Sequence, residues 1–72
     1  MTEADAERLI ESLEKRMDDF LLKINKEGAL GSKGDSKKIA GWMKDKAPLE
    51  RQLEALHNGE RDKAKLATLA KP

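Results

Sequence analysis

The side chain best suited to acid–base or metal chemistry near neutral pH is the single histidine, His57. It lacks companions. The chain has no cysteine, and no nucleophile–base pair or Cys/His metal set assembles around a lone imidazole. In the last turn of a helix, His57 has a simpler part, complementing the helix dipole. The acidic trio Glu14, Asp18 and Asp19 has the right types for a cation. Adjacent helical residues point about 100° apart, however, so Asp18 and Asp19 cannot converge on one ion. They read as a solvated face. Neither catalytic residues nor a cofactor or metal site is expected.

The stretch 28–35 holds Gly28, Gly31 and Gly34 with Ser32 and Lys33 between them, the residue types of a phosphate-cradling loop. The Walker pattern requires Gly directly before the Lys and an apolar strand before the loop. Both are missing here. The stretch is turn chemistry joining two helices.

Lysine offers one further possibility. Lys33, Lys37, Lys38, Lys44 and Lys46 lie close together with Asp35 and Asp45 among them, and Trp42 sits in their midst. Such a cluster can meet a phosphate backbone, and tryptophan is enriched at binding hot spots. The segment has no arginine for reading base edges. As a helix-turn-helix, 36–46 would pair with 48–57, but Leu49, Leu53 and Leu56 make the second helix a core element rather than a groove reader. A formal net charge of +1 also argues against strong non-specific binding. Nucleic acid therefore stays as the alternative partner.

The elements that would position these residues are helices. The 72 residues contain no Val and no Tyr, and three Ile and two Thr are the only β-branched residues. Strands draw on such side chains, whereas Leu, Ala, Lys, Glu and Arg favour helix. The expected fold is all-α. Its plainest signal is an apolar ladder, Ala6, Ile10, Leu13, Met17, Phe20 and Ile24, with steps of four, three, four, three and four. That rhythm belongs to a helix packed lengthwise on another. Leu9 and Leu21 widen the stripe to about 120°, which suits a bundle rather than a two-stranded seam. Leu22 projects from the polar side, among Arg8, Glu11, Lys15 and Asp18.

Helix 1 is expected over about 3–26, with Thr2 and Asp5 as a capping-box pair. Gly28 should stop it, and Glu11–Lys15 and Asp19–Lys23 should support it at i,i+4. A Gly-rich loop covers 27–35, and Ser32 with Asp35, or Asp35 alone, caps the next helix. Helix 2 should cover about 36–57, with Ile39, Trp42, Leu49, Leu53 and Leu56 on one face and Met43 at its flank. Pro48 should kink or break it. Asn58-Gly59 then stops it, and 60–72 forms a short helix or tail that frays or docks only on a partner. Equal arms and a glycine-rich turn read as an antiparallel helical hairpin in a single domain.

Apart from Met1, seventeen large apolar residues must serve the whole chain. So thin a core makes a lone hairpin marginal, and dimerisation into a four-helix bundle is the simplest remedy. Residues 1–31 carry eight acidic and five basic groups, and 32–72 six and ten. That asymmetry suits two arms that attract each other. No signal peptide or membrane span is visible, so a cytoplasmic location is expected.

The function expected is that of a non-enzymatic protein–protein interaction module, a small helical regulator or inhibitor occupying a surface on another protein. Proteins of phages and other mobile elements often have this size and lack of chemistry, and no residue carries that attribution. The seam for a second copy or a partner would be Ile10, Leu13, Met17, Phe20, Ile24, Trp42, Leu49 and Leu53. Leu22, Lys37 and Lys38 would meet an outside protein.

Overall fold

A computed structural model describes residues 1–71, and Pro72, the end of the expected tail, lies outside them. The described residues form helices and turns, with no strand among them. Helix α1 spans Glu3–Ala29, α2 spans Ser36–His57 and α3 spans Lys63–Leu69. No helix is long and apolar enough to cross a membrane.

α1 begins at the expected capping box. The Asp5 amide donates to Thr2 Oγ1 at 3.1 Å, and the Thr2 amide donates to Asp5 Oδ2 at 3.4 Å. It ends later than expected, because Gly28 stays helical. The left-handed residue that turns the chain is Gly31, at φ +60°, opening a 3-10 turn over Gly31–Lys33. Gly34 has an ordinary φ but is needed for another reason. A Cβ there would collide with the carbonyl oxygen of Glu27, so the chain passes too close to the end of α1 for any side chain. The Glu27 carboxylate closes the same corner by accepting from the Asp35 amide at 3.0 Å.

Asp35 alone caps α2, accepting from the amides of Lys37 at 2.9 Å and Lys38 at 3.4 Å, and Ser32 takes no part. The helix is not split at Pro48, which sits inside an unbroken Ser36–His57. Its apolar face continues through the proline, and burial of that face offsets the missing N–H. Gly59, at φ +97°, ends α2, and the Glu60 amide returns to the Ala55 carbonyl at 2.9 Å. α3 is shorter than the expected stretch. It starts where Asp62 accepts from the Ala64 amide at 2.9 Å.

Glu14 lies opposite His57, Phe20 opposite Leu49, and Glu27 opposite Asp35, so α1 and α2 run antiparallel along one another. The hairpin is a rod of 46 × 21 × 14 Å. Its core is confined to one end. Ala6 and Leu13 from α1, Leu53 and Leu56 from α2 and Leu66 from α3 are buried together, with Met1, Leu9, Ile10, Met17, Leu49, Ala55 and Leu69 packed around them. The third helix, expected to fray without a partner, thus closes the chain's own core.

Candidate interaction surface

The expected seam divides into two parts. Leu13 and Leu53 are enclosed by the chain itself, at 2% and 9% exposure, and have no face left for a partner. Ile10 and Met17 are half-buried at the edge of that cluster. Leu49 is half-buried at the same edge, and Phe20, Ile24 and Trp42 are half-buried nearer the loop. Leu22, Lys37 and Lys38 are exposed.

Four large apolar side chains stand well out of the loop-proximal half: Leu21 at 42%, Leu22 at 57%, Leu30 at 53% and Met43 at 54% exposure. Leu21 and Met43 flank the stripes that face each other across the hairpin, so neither helix covers them. A shallow groove is lined by Arg16, Asp19, Phe20 and Lys23 from α1 and by Asp45 and Leu49 from α2. Phe20 and Leu49 give it an apolar floor, and the four charged groups form its rim.

The expected i,i+4 pairs Glu11–Lys15 and Asp19–Lys23 are not among the ion pairs of the described residues. Lys23 turns over the Phe20 ring instead, with Nζ 5.7 Å from its centroid. Placing a cation on a ring face is favourable, and it covers part of the floor. Lys46 pairs with Glu50, which removes one lysine from the basic cluster. His57 lies 3.9 Å from Glu14 with both side chains largely exposed. No three His, Cys, Asp or Glu among the described residues are placed to hold a metal ion.

The closed end is held by residues that sequence spacing did not single out. Arg61 Nε and Nη2 donate to the two Glu3 carboxylate oxygens at 2.8 and 3.1 Å. Its Nη1 donates to the carbonyls of Leu56 and Glu60, and its own carbonyl accepts from the Met1 amino group at 3.0 Å. The Arg61 hydrogen bonds, and then its charge, hold the Glu3 carboxyl below the usual carboxylate range. In return, Glu3 raises the Arg61 guanidinium. Arg51 donates to the carbonyls of Leu69 and Lys71, both at 3.1 Å, and Gln52 to that of Leu66 at 2.9 Å. Arg51 thereby satisfies carbonyls at the C-terminal end of α3, and Gln52 adds a second donor to the Leu66 carbonyl, which already accepts from the Ala70 amide. A pair 58 residues apart, such as Glu3 and Arg61, has no periodicity to betray it. Comparison with family models, curated proteins and solved structures finds no match for this chain.

Proposed function

We propose that the chain is a non-enzymatic protein–protein interaction module, a small helical regulator or inhibitor that works as a homodimer. In this reading two hairpins form a four-helix bundle, and the bundle occupies a surface on another protein. One observation carries it: among the described residues, the large apolar side chains left exposed all lie in the loop-proximal half. Leu21, Leu22, Leu30 and Met43 are each more than two-fifths exposed there, while the five buried residues lie at the other end. Isolated exposed leucines need no explanation, but four exposed large apolar residues on half of a small rod favour a partner. Met17, Phe20, Ile24, Trp42 and Leu49 supply the contact between copies. Leu22, Lys37 and Lys38 face the outside protein.

Sedimentation of the full chain at micromolar concentration tests the first part. A dimer is expected, and Phe20→Asp should reduce it to monomer, because an ionised carboxylate cannot be buried at the seam without a counter-charge. A wild type that sediments as a folded monomer throughout that range removes the dimer. The second part is read by changing Leu22, Lys37 and Lys38 together to Glu. The dimer should persist, while a protein captured from the native host on the wild type should be lost. Its retention would move the outside contact elsewhere.

The alternative, a small dimeric nucleic-acid-binding accessory protein, draws on Lys33, Lys37, Lys38 and Lys44, all exposed around the loop and the start of α2. The acidic Asp35 and Asp45 among them, and the pairing of Lys46, favour the protein reading. Binding to duplex DNA or RNA that weakens steeply with added salt would reverse that preference.

A further inference from the structure

The third layer of this molecule is unfinished. α3 fills the groove between α1 and α2 at one end only, where Leu66 is buried and Gln52 holds its carbonyl. On α2, Asp45, Leu49, Gln52 and Leu56 follow at steps of four, three and four. A single stripe of that helix therefore bears both α3 and the open groove. On α1 the matching stripe is Leu9, Arg16, Phe20 and Lys23. Leu9 and Leu49 already pack on the cluster that contains Leu66. The surface that receives α3 thus continues past it, floored by Phe20 and Leu49, with no third helix on top.

The rim of this continuation carries two cations, Arg16 and Lys23, and two anions, Asp19 and Asp45. None of the four belongs to an ion pair among the described residues. A contact between two identical faces must complement itself, which calls for an apolar centre bordered by both signs in balance. The groove has that make-up. A partner of one sign would be attracted at two positions and repelled at the other two.

We propose that the groove receives the loop-proximal half of a second copy across a two-fold axis. Four helices then bundle only over those halves, and each α3 keeps the third position at an outer end. The inference rests on the dimer reading above and fixes its geometry. A bundle overlapping along its whole length would have to displace α3, since Leu66 already fills the groove there. The part of α1 that α3 leaves open, 16–29, is about 20 Å long at 1.5 Å per residue. Two rods of 46 Å sharing that length make a particle about 70 Å long.

Small-angle scattering of the full chain, at a concentration where sedimentation shows dimer, should return that maximum dimension. A dimer little longer than 46 Å would overturn the staggered arrangement and leave the dimer standing. A monomer at all concentrations would overturn both. Exposed Asp45 gives a second measurement that leaves the core untouched. Asp45→Arg unbalances the rim and should weaken association at least tenfold, because like charges then meet across the axis. Adding Arg16→Glu restores two charges of each sign and should restore the dimer. A helical Asp45→Arg variant that associates like the wild type would overturn the groove as the contact.

Discussion

Arg61 ties together parts of this chain that lie far apart in sequence. Four of its five donors are used: two go to the Glu3 carboxylate at the start of α1, one to the Leu56 carbonyl at the end of α2 and one to the Glu60 carbonyl in the connection to α3. A planar fork suits such a junction and an ammonium does not, so Arg61→Lys should lower the melting temperature even though the charge is kept. The pairing with Glu3 also predicts an acid dependence with a definite sign. The Glu3 pKa is lowered in the folded chain from an ordinary value near 4.5. The pair therefore stabilises the fold fully above that value, and the contribution is lost as pH falls through the lowered folded-state value. At pH 7, Glu3→Gln should melt below the wild type, and the difference should close progressively on acidification below 4.5. A gap in melting temperature unchanged by acid would mean that the carboxylate charge contributes nothing.

The helices were legible because their signals are local. The half-heptad ladder set α1, Asp35 and Asn58-Gly59 bounded α2, and the Thr2–Asp5 box formed as read. The glycines were harder, since a glycine marks a turn only when the chain around it needs one. Gly28 looked like a stop and is helical, with open space where a Cβ would go. Gly34 reads in the sequence only as one of the turn's glycines and is the residue pressed against the Glu27 carbonyl. The two should respond oppositely to alanine. Gly28→Ala should stabilise by about 0.5–1 kcal/mol, because it removes backbone freedom from the unfolded chain at a helical position. Gly34→Ala should destabilise, because two backbone segments must move apart to admit the methyl group. Denaturant midpoints of the two variants check the contrast, and equal shifts of the same sign would refute it. The candidate surface was legible only in part. Spacing put Leu13 and Phe20 on one ladder, but could not show that α3 would cover the first and stop short of the second.

At the scale of the whole molecule, stability and exposure are separated along the rod. All five buried residues lie where three helices meet, and Leu66 is the only one that α3 supplies. A helix of seven residues is too short to persist by itself in water, so its order depends on that side chain and on the bonds from Arg51 and Gln52. Leu66→Ala should cost about 2–5 kcal/mol, the range for truncating a buried leucine. For so small a domain that is a large share of the total stability. The loss should not be spread evenly. With α3 released, Leu13, Leu53 and Leu56 become solvent-accessible while the α1–α2 packing nearer the loop remains. Hydrogen exchange should therefore show amide protection vanishing across 66–70 and weakening around Leu56, with the turns of α1 nearer the loop least affected. Uniform loss of protection along all three helices would instead show that α3 and the hairpin unfold as one unit.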